Sequence, residues 1–207
     1  MSSDDTVFKY PRDHNREGQL AMRPTSSNII NVFLRATRRQ MAEGADWYDR
    51  AHEIARELDP EDPDRAAAVI AVLSPLERWE RNVELAREAY ALGRLERGTL
   101  KKSIGKANRI LAGEDPADVV TGPKVTRFYR TISDPERGKD DVVIDRHAFD
   151  VAVGRKTDDT TRSKILSRKG EYDRFVRAYA RAAKILGARP GVVQAVTWTV
   201  WRDAYGE

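Results

Sequence analysis

The stretch KKSIGKANRILAGEDPADVVTGPKVTRFY, residues 101–129, decides the fold class. Its first part reads as a helix to about Leu111. Asp115-Pro116 opens a short second helix, and Thr121-Gly122-Pro123 makes a tight turn into another. The segment from about 101 to 133 therefore makes a helix-hairpin-helix pattern, with the short helix inside the connection. Gly122 lets a partner approach the backbone closely, and the free N–H groups after Pro123 face outward at the positive end of a helix dipole. That arrangement suits the phosphates of DNA.

Further helix starts follow the same logic outward from this segment. Asp62-Pro63 and Ser74-Pro75 place a capping residue before proline, and Glu77, three residues after Ser74, predicts a capping box. From there Leu76, Trp79, Val83, Ala86 and Tyr90 mark one helical face, as do Trp47, Ala51, Ile54 and Leu58 earlier. AAAVIAVL (66–73) is apolar all round and reads as a central helix, and residues 28–42 read as one helix. DVVI (141–144) and VVQAVTWTVW (192–201) have strand-like composition without pairing partners, and Pro190 makes the second a buried C-terminal helix. Residues 134–141 and 155–169 read as polar loops. The whole is all-α, with a flexible arm at 1–23 and a single domain at 24–207.

The chain of 207 residues has no cysteine, which excludes disulfides, Cys-ligated zinc and Cys-held iron–sulfur clusters. The N-terminus lacks a signal peptide's apolar core and no run reaches membrane-spanning length, so a soluble cytoplasmic protein is expected. A net charge of +4 hides an asymmetry: residues 43–90 carry 13 acidic and 6 basic side chains, residues 155–189 carry 4 and 11. One candidate phosphate-tracking face is Arg174, Arg177, Arg181 and Lys184, opposite the apolar stripe Tyr172, Phe175, Val176, Tyr179, Ala183 and Leu186; an ordinary solvated face is the alternative.

The hairpin, followed by VVIDRHAFDVAVG (142–154), resembles the helix-hairpin-helix DNA glycosylase superfamily, the group containing endonuclease III and 8-oxoguanine glycosylase. Gly122, Lys124 and Val125 match the end of that family's hairpin, and Ile144, Asp145 and His147 match its aspartate motif. GKANRIL (105–111) and AVIAVLSPLERW (68–79) are similar to its preceding helix and early core helix, so the likeness spans about residues 63–155. AYARAAKILGARPGVVQAVTWTVWR (178–202) resembles small phage proteins with the same hairpin. Val120 stands where the family has its first hairpin glycine, and Leu76 where several relatives carry a glutamine that fills the gap left by an extruded base.

The resemblance implies a two-lobed glycosylase-like fold, a monomer without cofactor that acts on duplex DNA with a flipped nucleotide. It sits in the cytoplasm, the host's if the chain is phage-encoded. Asp145 is the candidate electrostatic catalyst and Lys124 the candidate nucleophile. Thr121, Gly122, Val125, Thr126, Lys106, His147, Arg174 and Arg177 are candidate DNA contacts. The chemistry is independent of the family: breaking an N-glycosidic bond builds positive charge on the sugar, which a carboxylate stabilises, and an unprotonated lysine amine can form a Schiff base there. Simpler roles stand beside these. Asp145 is a good N-cap, Lys124 an ordinary phosphate contact, His147 a structural histidine, and tryptophans at helical spacing are core. Base modification without strand cleavage and a catalytically silent DNA-binding module are the alternative functions.

Overall fold

The computed structural model describes residues 22–206, so nearly all of the expected arm at 1–23 lies outside the described residues. Among those described there are thirteen helices and no strand: α1 (Ser26–Phe33), α2 (Arg38–Ala45), α3 (Trp47–Leu58), α4 (Pro63–Leu73), α5 (Trp79–Leu92), α6 (Lys101–Leu111), α7 (Pro116–Val119), α8 (Pro123–Ser133), α9 (Pro135–Gly138), α10 (Arg146–Val153), α11 (Asp159–Leu166), α12 (Glu171–Leu186) and α13 (Pro190–Tyr205). The fold is all-α. Asp62, Asp115 and Asp145 cap α4, α7 and α10 through bonds from Arg65 N, Ala117 N and Ala148 N, as their positions predict.

Buried apolar side chains form two clusters. In the first, α4 is enclosed by α3, α5, α6 and α8, and every side chain from Ala66 to Leu73 is buried. In the second, α1, α10, α12 and α13 pack around Phe149, Phe175 and Tyr179. Between them runs the extended segment 142–144. Val142 and Ile144 enter the second cluster and Val143 the first, with Ile144 N donating to the Tyr172 hydroxyl. The two-residue alternation that makes DVVI look like a strand is real, but it divides one extended chain between two cores instead of pairing it in a sheet.

Several local expectations are corrected. Residues 28–42 are two helices, α1 and α2, broken at 34–37, because Thr37 and Gln40 form a capping box that restarts the chain. Ser74 is not an N-cap. Its hydroxyl donates back to Ala71 O at the end of α4, Leu76 follows at φ 65°, and α5 begins only at Trp79. Glu77 accepts from Thr99 N instead, and Leu76 leaves the apolar face to stand 69% exposed. The loop at 155–169 contains α11, capped by Asp158, and that at 134–141 contains the single turn α9, capped by Asp134. Val120 is buried with φ −74°, so this turn needs no glycine there; only Gly122, at φ 91°, does.

α2 and α13 pack closely at Gly44, where an added Cβ would meet Val196 Cα at 2.5 Å and Val196 N at 2.6 Å. Backbone atoms cannot yield as a side-chain end can. Gly44→Ala is expected to lower the denaturant midpoint by an amount corresponding to about 1–3 kcal/mol. Gly105→Ala, in α6 with nothing within 4 Å, should raise it by up to about 1 kcal/mol.

Candidate active site

A cleft opens between the first cluster and the start of α10. Its inner chamber, of about 90 Å³, is walled by Trp47, Trp79, Trp198, Asn82 and Gln194, and its mouth, of about 160 Å³, by Leu76, Arg78, Arg146 and His147. Ser74, Glu77, Lys124 and Asp145 line both parts. The two residues from separate sequence motifs thus meet in one cavity, Lys124 from the first turn of α8 and Asp145 from the N-cap of α10.

Asp145 is held at both oxygens. Oδ1 accepts from Ala148 N at 2.8 Å and Oδ2 from Trp198 Nε1 at 3.0 Å. The cap and the residue that the sequence offers as a catalytic candidate are therefore the same side chain in one rotamer, and the indole of α13 fixes where the second oxygen lies. Upstream, Arg127 of α8 pairs with Asp141, whose Oδ1 also accepts from Val142 N, so the extended segment leading to Asp145 is anchored at its start.

Lys124 is partly buried, with its Nζ donating a long 3.4 Å bond to Ser74 Oγ. Desolvation by the cleft wall lowers its pKa below the ordinary 10.5; the Asp145 carboxylate opposes this and the Arg146 guanidinium adds to it. No direct ion pair joins Lys124 to Asp145 among the described residues, so the carboxylate acts on the amine through space.

His147 is only 6% exposed. Its Nε2 accepts from Arg146 Nε at 2.9 Å, which places the proton of the neutral ring on Nδ1, an atom buried without a partner. Burial lowers its pKa from 6.5, so the ring is neutral at pH 7. It stands at the cleft mouth, 5.8 Å from the Trp198 ring.

The remaining sequence candidates divide. Thr121 and Gly122 are exposed at the hairpin, where the Thr121 hydroxyl accepts from Lys106 Nζ at 2.6 Å. No side chain caps α8, leaving its N-terminus open beside them. Val125 packs on the first core and Thr126 is half-buried one turn into α8. Arg174 and Arg177 are exposed on α12 and neither lines the cleft; Arg174 pairs with Glu171.

Sequence reading missed Asn82, Gln194, Tyr48, Arg78 and Arg146 as cleft residues. A buried asparagine and glutamine within apolar helical faces were the available signal. Trp47 and Trp79 pack against the first core as expected and, with half-buried Trp198, also wall the cleft, Trp47 being in ring contact with both Trp79 (5.3 Å) and Trp198 (4.6 Å); Trp201 is core. Among the described residues no group of three or more His, Asp or Glu side chains is placed to hold a metal ion, and no helix is long and apolar enough to cross a membrane.

No curated protein and no solved structure matches the chain. A family model described as a family of unknown function, DUF7178, matches residues 12–205, a span that takes in the hairpin, both cores and every residue of the cleft, and the chain belongs to that family.

Proposed function

We propose that the protein extrudes a base from duplex DNA into this cleft and breaks its N-glycosidic bond. The observation that carries the reading is the meeting of Lys124 and Asp145 in one tryptophan-walled cavity beside an uncapped helix N-terminus.

In this reading the open N–H groups of α8, Thr121 and Lys106 take phosphate oxygens, and Arg78 and Arg146 take those across the mouth. Leu76 is the apolar wedge. Its left-handed backbone costs about 1–2 kcal/mol, and it holds an exposed leucine at the cleft rim, where apolar side chains of DNA-bending proteins enter the base stack. As the base departs, the Asp145 carboxylate stabilises the positive charge on the sugar. The neutral Lys124 amine forms a bond to C1′ while the electron pair of the glycosidic bond leaves with the base, which takes up a proton. Loss of the amine proton and opening of the sugar ring give a Schiff base, which water later hydrolyses.

Borohydride trapping on oligonucleotides bearing damaged or modified bases tests the lysine. The wild-type protein should give a covalent adduct with at least one substrate, and Lys124→Gln should lose it while retaining most DNA affinity. Asp145→Asn should keep the cap but set an amide N–H against Trp198 Nε1–H. Excision is then expected to fall by about 10²–10³ and stability by roughly 1 kcal/mol. Undiminished excision by the asparagine variant removes Asp145 from catalysis, and excision without an adduct assigns water as nucleophile.

The lowered pKa of Lys124 sets the pH profile. Only the neutral amine attacks, so single-turnover excision should rise with pH through a midpoint below 10.5 and level off above it. A lysine serving only as a phosphate contact gives the opposite slope, binding being lost as it deprotonates.

Arg78 and Arg146 define the footprint. Replacing both with alanine should reduce the slope of log K against log[salt] by about 1.8, or 0.9 for each phosphate. The same change at Arg174 and Arg177, away from the cleft, should leave the slope nearly unchanged.

A further inference from the structure

Lys124 and Asp145 share one cleft as opposite charges, and in a partly desolvated site their attraction favours closing into an ion pair. A closed pair would raise the lysine pKa, which burial lowers, and would hold the carboxylate on the ammonium. The pair is open, and the amine is not what keeps it so. Lys124 Nζ has only its 3.4 Å bond to Ser74 Oγ, a hydroxyl whose own proton goes to Ala71 O. The restraint is on the carboxylate. Bound at Oδ1 alone, by Ala148 N, the group could still turn about that contact; the 3.0 Å bond from Trp198 Nε1 to Oδ2 fixes its plane.

The donor is itself held. The Trp198 ring packs against Trp47, with centroids 4.6 Å apart, and against His147, at 5.8 Å. The Arg202 guanidinium, one turn further along α13, lies 4.9 Å from the centre of the indole and is fixed by Glu43 of α2 at 2.7 Å and by Asp203 at 2.9 Å. An indole N–H also donates without carrying charge, so it anchors Asp145 without neutralising it, whereas an arginine or lysine there would cancel the negative charge. A phenylalanine would fill the same wall, so packing alone does not call for the N–H.

We propose that Trp198 is a positioning residue, whose clamped indole N–H keeps the Asp145 carboxylate from swinging onto Lys124 and so leaves both groups free to act. The role rests on the reading of Lys124 as the attacking amine, and it is tested first without DNA.

The experiment follows the carbon-13 signal of the Lys124 side chain in the intact, lysine-labelled protein as the pH is raised, with Lys124→Gln identifying the signal. Trp198 is replaced by β-(3-benzothienyl)alanine, which keeps the shape of tryptophan but carries sulfur in place of the N–H, and separately by phenylalanine (Trp198→Phe). In either variant the lysine midpoint should rise by about one pH unit over wild type as the carboxylate closes on the ammonium. The same replacements made in the Asp145→Asn background should leave the midpoint where that single change puts it. Glu77, Arg78, Arg146 and Asp159 also line the cleft and are unchanged throughout, so their fields cancel in the comparison. An equal rise with and without the carboxylate marks water entering a loosened wall and overturns the proposal; so does an unmoved midpoint. The sulfur isostere decides the matter if Trp198→Phe fails to fold. With a substrate, single-turnover excision by the isostere protein should have its pH midpoint raised by the same amount. Excision that persists while the Lys124 midpoint stays unmoved removes the clamp and leaves base excision standing. A midpoint raised only when the carboxylate is present, in a protein that excises no base, upholds the clamp and removes the reaction it serves.

Discussion

Three residues, Val142, Val143 and Ile144, hold the two halves of the packing in register. Alternate side chains of one extended segment enter opposite cores, so neither core can shift without pulling on the other. The segment ends in Asp145, whose two oxygens are then claimed by the first turn of α10 and by an indole of α13. The position of one carboxylate is thereby over-determined by both clusters. Such redundancy is what a preorganised electrostatic site requires, since its groups must not relax toward solvent when charge develops.

Lys124 is set by a different balance. Its helix begins at Gly122, whose positive φ turns the chain sharply enough for Pro123 to open α8 and for Lys124 to face inward from the first turn. Burial and the nearby Arg146 disfavour its charge; the Asp145 carboxylate, too distant to pair, offsets only part of that. The long bond to Ser74 leaves the amine loosely tethered, in contrast to the doubly held carboxylate. The same serine ends α4 by bonding back to Ala71, and the strained turn after it sets Leu76 at the rim. A single turn, 74–78, thus supplies part of the floor and part of the edge of the cleft.

The sequence by itself determined the helix starts at Asp62, Asp115 and Asp145, because those signals are local: each side chain satisfies a backbone N–H group within three residues. It also marked Lys124 and Asp145, through two motifs far apart in the chain. It erred at Ser74 and at 28–42, where the same residue types serve a helix end or a restart, and the choice depends on which carbonyl or N–H is nearer after the chain turns. Only the tertiary structure decided that DVVI is a seam instead of a strand, and that Trp47 and Trp79, packed on the first core, also wall a cleft with Trp198. It alone placed Asn82 and Gln194, from helices more than a hundred residues apart, on one chamber. Helical periodicity reports that a face is covered; it does not report by what, because the covering atoms come from elements whose distance in sequence carries no trace of their distance in space.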